Sequence, residues 1–221
     1  MRRLLVLRPE PDATTTVERA REWGLNAVAV PLFAVDAVAW DAPEPGSFDG
    51  VLLTSANAVR HGGEQLQRFR GLKTYVVGEA TAEAARDAGF DVAATGDAGV
   101  DRLLGSIDTD LRLFHPCGKD RREPDGARQK ITAVPVYDAR QVDALDLSAA
   151  PESIALIHSP RAGRRFAELI DERDAITVAA ISHAAAKAVG EGWEHVESAE
   201  QPTEDALLAL AATLCDNPKS R

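Results

Sequence analysis

Cysteine is scarce in this chain: Cys117 and Cys215 are the only two among 221 residues. Two thiols so placed build neither a disulfide framework nor a metal-ligand pattern. Long apolar runs are missing too. Nothing approaches the roughly 20 residues of a membrane-spanning helix. The run behind Arg2 and Arg3, Leu4–Leu7, is shorter than the about 7–15 residues of a secretory signal core. A periplasmic-type receptor therefore does not fit, and a cytoplasmic protein with no membrane partner is expected. Positive charge is also short, with 25 Lys and Arg against 35 Asp and Glu and a net charge of −10. That argues against a nucleic-acid partner, which needs clustered basic residues. It leaves room for an anionic small molecule in a local basic cleft. No strand-like run ends in the aspartate of a phosphoacceptor receiver. No third ligand joins His158 and His183, so no metal is expected.

What the chain does have is a strand–turn–helix signature, Val51-Leu-Leu-Thr-Ser-Ala-Asn-Ala-Val59. The apolar run stops at Thr54 and Ser55, and a helical pattern follows from about 56 to 69. Ser55 is a natural N-cap, accepting a hydrogen bond from an orphan amide of the first turn. Such a turn aims free N–H groups at one spot. Gly62 and Gly63 weaken the helix by about 1 kcal/mol each relative to alanine.

The signature returns as Ala155–Gly163. At a constant offset of 104, Leu52, Ser55, Ala58, Arg60 and Glu64 meet Leu156, Ser159, Ala162, Arg164 and Glu168. Ala80, Ala82 and Ala84 meet Ala184, Ala186 and Ala188; Asp101, Leu103 and Leu104 meet Asp205, Leu207 and Leu208; Pro31 meets Pro135. Leu4 and Pro9 meet Leu111 and Pro116 at an offset of 107. A constant offset over four separate elements is an internal duplication. Alternation of strands and helices predicts an α/β fold with parallel sheets covered by helices. Two copies imply two similar three-layer domains with a cleft between them. Ligands of such sheets sit beyond the carboxyl ends of the strands.

Arg8-Pro9 with Gly24 and Pro31, Leu53–Val59, Val77–Ala84, Pro135-Val-Tyr137, Ile157–Ala162 and Ile181–Ala188 follow each other in an order and spacing that resembles the uroporphyrinogen-III synthase family. The resemblance covers nearly the whole chain. It implies two α/β domains, one discontinuous (1–34 plus 142–221) and one continuous (42–133), joined by antiparallel linker strands at 35–41 and 134–141. It implies an enzyme, a cyclising hydro-lyase of porphyrin (heme) biosynthesis, acting as a monomer without metal or organic cofactor. Its substrate would be hydroxymethylbilane, a linear tetrapyrrole with eight carboxylates, closed to uroporphyrinogen III with loss of water and inversion of ring D through a spiro intermediate. Spontaneous closure gives the other isomer, so positioning is most of the task, and a weak acid at the departing hydroxyl most of the rest. The alternative is a non-catalytic relative that holds a tetrapyrrole or another polyanion for regulation.

The resemblance puts Tyr137 at the position that assists loss of the hydroxyl. A phenol donates a hydrogen bond readily, although a pKa near ~10 makes it a poor full acid at neutral pH; the plain alternative is a linker tyrosine packed on a domain face. Thr54, Ser55, Ala56 and Ser159 would orient carboxylates through hydroxyls and amides, while helix capping alone also explains both serines. Gly78 and Thr81 occupy a second such turn, where glycine permits close backbone approach. In the other copy the family's Gly-Pro-Thr-Thr type turn is replaced by Ser182-His183-Ala184-Ala185, which leaves Ser182 and His183 as its polar groups. Arg8, Lys119, Arg140 and Arg161 are basic residues near these turns, and Arg8 and Arg161 are the substrate-binding candidates among them. The charged stretch 120–130 reads as a solvated, broken helix, and Cys117 as incidental.

Overall fold

The computed structural model describes residues 2–97, 99–121 and 123–216; the ends of the expected outer domain and Arg122 of the charged stretch lie outside these. Leu4–Leu7 shows why the fold begins where it does. All four side chains are fully buried. Leu4 and Val6 join one apolar cluster, Leu5 and Leu7 another, as the two-residue period of a strand requires. An apolar run without alternation is what a strand covered on both faces needs, and burial of each such side chain is worth about 1.5–3 kcal/mol.

The chain divides into two compact units, Met1–Ala34 with Gln141–Arg221, and Val35–Arg140. In unit 1, β1 (Leu4–Val6), β2 (Ala27–Ala29), β9 (Ile154–Ile157), β10 (Thr177–Ala180) and β11 (His195–Ser198) form a sheet in the order β11-β10-β9-β1-β2. Each neighbouring pair of strands in it runs parallel. Helices α1 (Asp12–Glu22) and α8 (Glu204–Asp216) supply one apolar layer, and α6 (Pro160–Leu169) and α7 (His183–Ala188) the other. Unit 2 holds β4 (Gly50–Leu53), β5 (Lys73–Val77), β6 (Asp91–Gly96), β7 (Arg112–Gly118) and β8 (Lys130–Gln141), with β3 (Phe33–Ala37) on its edge, in the order β3-β8-β7-β4-β5-β6. Helices α2 (Ala56–His61), α3 (Gly63–Gln67), α4 (Glu79–Asp87) and α5 (Val100–Ser106) belong to this unit.

Matching β4 to β9, β5 to β10, β6 to β11, β7 to β1 and β8 to β2 gives both sheets the same strand order. The repeat in the sequence is thus a repeat of topology. β3 and β8 make the second sheet mixed: Val38 N–H donates to the Val136 carbonyl and Val142 N–H to that of Leu32, so these stretches run in opposite directions.

Two expectations need correction. The helix from 56 to 69 is two short ones, because Gly63 adopts φ +64° and the chain crowds at Gly62. A Cβ on Gly62 would stand 2.5 Å from Leu66 Cδ2 and 2.7 Å from the Ala58 oxygen. Gly62→Ala should therefore destabilise by about 1–3 kcal/mol in chemical denaturation, opposite to the gain of about 1 kcal/mol that helix propensity alone predicts. A stabilised variant would refute this packing. The second concerns the charged stretch: no helix forms among the described residues of 120–130. β8 runs unbroken to Gln141, and a register shift between Cys117 and Gly118 faces Pro135 and Tyr137, the bulge at which proline is tolerated in a sheet. No described helix is long and apolar enough to cross a membrane.

Candidate active site

The carboxyl ends of β4, β5 and β7 open on a cavity of about 260 Å³ within unit 2, lined by Thr54, Ser55, Val77, His115, Cys117 and Tyr137, with Gly118, Asp120 and Arg121 among the others. Parallel strands put their turns at one edge, which is why residues from 54 to 137 meet there. Tyr137 is half-buried. Its ring lies against Gly118, where a Cβ would stand 2.8 Å from Cε2 and 3.2 Å from the phenol oxygen. Only glycine permits that approach. The ring of His61 is 6.3 Å away, centroid to centroid, and tilted.

Ser55 caps α2, its Oγ accepting from Asn57 N–H at 3.2 Å. Ala56 is the first residue of that helix, which has only six residues. The expected helix-dipole contribution is accordingly small, and the turn's share in any anion contact falls to its amides and to the Ser55 O–H, which remains free to donate. Gly78 has φ +83° at the start of α4. Thr81 stands on the buried face of α4 and is 6 % exposed, so its hydroxyl has little surface to offer a ligand. Burial pushes the Cys117 thiol pKa up, against the nearby Arg121 charge, which disfavours the reactive thiolate.

In unit 1 the equivalent turns carry Ser159, whose Oγ accepts from Ala162 N–H at 3.1 Å, and Ser182, whose Oγ accepts from Ala185 N–H at 3.3 Å. His183 is exposed. Arg161 stacks its guanidinium over the Phe33 ring at 4.3 Å. Arg8 is held by two carboxylates, Glu204 at 2.9 Å and Asp12 at 3.3 Å. His158 does not meet His183; its Nε2 lies 3.2 Å from Glu204, whose other oxygen accepts from the Thr16 hydroxyl at 2.7 Å. Burial by itself would raise the Glu204 pKa. The hydrogen bonds from His158 and Thr16, with the charges of His158 and Arg8, overturn that and hold it at about 2. This knot ties α8 to β1, α1 and β9.

Of the basic residues weighed from the sequence, Lys119 pairs with Asp138 and Arg140 with Asp36. The arginine that reaches the cavity is Arg121, in the stretch dismissed as solvated. Its only sequence signal was its place three residues beyond a strand-end glycine. Among the described residues no three of His, Cys, Asp and Glu gather as a metal-ligating group.

No curated protein matches the chain. Two solved structures share its fold. The uroporphyrinogen-III synthetase of Helicobacter pylori aligns with a TM-score of 0.66 at 18 % identity, over 97 % of this chain and 100 % of that one. A mutant uroporphyrinogen III synthase of Thermus thermophilus aligns with a TM-score of 0.58 at 16 % identity, over 98 % of this chain and 100 % of that one. The family model described as HEM4, uroporphyrinogen-III synthase HemD, matches residues 14–209. With the model running across both units, the chain belongs to the uroporphyrinogen-III synthase family of enzymes, cyclising hydro-lyases of porphyrin biosynthesis.

Proposed function

We propose that the chain cyclises hydroxymethylbilane to uroporphyrinogen III, with loss of water, inversion of ring D and a spiro intermediate. The observation that supports this reading most directly is the cavity that gathers Thr54, Ser55 and Tyr137 at one sheet edge. Tyr137 donates its phenol hydrogen bond to the departing hydroxyl. Thr54, Ser55, Ala56 and Gly78 of unit 2 orient carboxylates of the tetrapyrrole, and Ser159, Arg161, Ser182 and His183 are the corresponding binding candidates of unit 1. Arg8 and Thr81 serve behind them, the one holding its turn through Glu204 and the other packing α4. On this reading 1–34 with 142–221 and 42–133 act as two domains linked through 35–41 and 134–141. No cofactor is required: the substrate carries its own leaving group, and the protein contributes an acid and an orientation.

The test is to supply hydroxymethylbilane and determine the product isomer. Formation of the inverted isomer faster than spontaneous closure supports the proposal; the non-inverted isomer alone, at the uncatalysed rate, defeats it. Tight binding without inversion would assign the chain to the non-catalytic alternative. Gly118→Ala offers a second measurement. The added methyl displaces the Tyr137 ring, and because misplacing a catalytic group by about 1 Å costs up to roughly 10²-fold, kcat should drop at least about tenfold with little change in KM.

A further inference from the structure

His115 and Arg121 also stand on the wall of the cavity that holds Tyr137. His115 is 3 % exposed, and its Nδ1 lies 2.9 Å from the Leu52 carbonyl oxygen. A carbonyl only accepts, so Nδ1 carries the proton, and Nε2 is left as an acceptor nitrogen on a ring that lines the cavity. Burial pushes the His115 pKa below the ordinary histidine value, against the Leu52 hydrogen bond and with help from the Arg121 charge, so the ring is neutral near pH 7. Arg121 reaches Glu123 at 3.2 Å, but Glu123 is 80 % exposed. Surface pairs of that kind are weakly held, and an incoming carboxylate can take the guanidinium bidentately. Asp120, the acidic side chain on the wall, already has a partner of its own. Val77, Val100 and Pro124 supply apolar surface.

An acceptor in the wall, a cation beside it and apolar sides match the chemistry of one ring type: a planar heteroaromatic N–H donor that bears carboxylates. The cavity, about 260 Å³, is smaller than the roughly 300–1,000 Å³ that encloses a whole drug-sized ligand. It takes one ring, not a tetrapyrrole. We propose that this cavity seats a single carboxylate-bearing pyrrole of the substrate, its ring N–H on His115 Nε2 and one of its carboxylates on Arg121. The proposal rests on the function proposed above.

Tyr137 shares the cavity, so the seated ring is the one that carries the hydroxymethyl group. When its C–O bond breaks, the oxygen takes a proton from the acid and leaves as water. The ring's electrons form the exocyclic double bond, and the positive charge gathers on the ring N–H. A neutral acceptor facing that N–H binds it more tightly in the transition state than before, which is the interaction that raises kcat.

The experiment measures kcat, KM, product isomer and Tm for the full-length chain, His115→Asn and Arg121→Gln. In His115→Asn the amide N–H₂ keeps the bond to Leu52 while the acceptor at Nε2 is lost. Its kcat should fall about tenfold or more, with KM and Tm near native. Arg121→Gln, at a surface position, should raise KM about tenfold with kcat within about twofold. A free monopyrrole bearing one acetate and one propionate should bind the native chain and bind Arg121→Gln more weakly. This arm stands even where His115→Asn fails to fold. Native kcat and KM in both variants, or equal monopyrrole affinity with and without Arg121, overturn the ring seat alone if the native chain still makes the inverted isomer. A native chain that makes only the non-inverted isomer overturns the function itself and the ring seat with it.

Discussion

A Tyr137→Phe protein is expected to turn over hydroxymethylbilane about 10²-fold more slowly than the native chain, the lower end of what a positioned proton donor contributes. The substitution deletes one oxygen and keeps the ring that packs on Gly118, so Tm should hardly move. The isomer produced is as informative as the rate. Expelling the hydroxyl and presenting ring D are separate tasks, and the proposed function assigns only the first to the phenol. The slow turnover should still yield the inverted isomer, diluted by spontaneous closure as that begins to compete. A native rate in Tyr137→Phe would remove the phenol from the chemistry. A native rate with lost inversion would move it from acid to template.

The second large effect concerns the knot of charges around Glu204. Glu204→Gln should lower stability by about 3 kcal/mol, the lower end of the cost of removing one partner of a buried ion pair, because this one is part-buried. For a chain of this size that is a fall in Tm of roughly 6–12 °C. Arg8 and His158 would both face a neutral amide, and the His158 Nδ1, already buried without a hydrogen-bond partner among the described residues, would sit on a ring that has lost its anchor. The pH dependence has a definite sign. The folded Glu204 carboxyl titrates at about 2 against an ordinary value of 4.5. Its stabilisation is therefore complete above about pH 5 and is lost as the pH falls towards 2. Denaturation of the native chain and Glu204→Gln across that window should show two curves that converge in acid. A gap that stays constant from pH 6 to 2 would mean that charge at Glu204 contributes nothing.

Much of this architecture can be read from residue order. Leu4–Leu7 and Ile154–Ile157 are apolar without alternation because both faces of their sheet are covered, and the serine caps at 55 and 159 announce the same turn twice. The misreadings have one physical origin, namely that contacts distant in sequence decide them. His115 sits in a strand that reads as plain core until β4 lies beside it and the Leu52 carbonyl accepts a hydrogen bond from its Nδ1–H. Arg121 belongs to a stretch of mixed charge, and nothing in its spacing shows that it reaches Tyr137's cavity. Glu204 meets Thr16 and Arg8 across 188 and 196 residues, a separation over which no periodicity operates. Cap, strand and turn are local properties and were legible; the electrostatics of the site are not local.

The pairing of β1 with β9 has a further consequence for biosynthesis. Leu4 lies opposite Ile154, so the middle of one sheet cannot close until 150 further residues have been translated. Val35–Arg140, by contrast, is continuous and leaves the ribosome as a complete folding unit. Synthesis from the N-terminus thus favours maturation of the inserted half first, while Leu4–Leu7 waits without its central partner, an apolar segment that needs shielding for most of translation. Destabilising changes in β9 should lower the yield of soluble protein more than equal changes in β4.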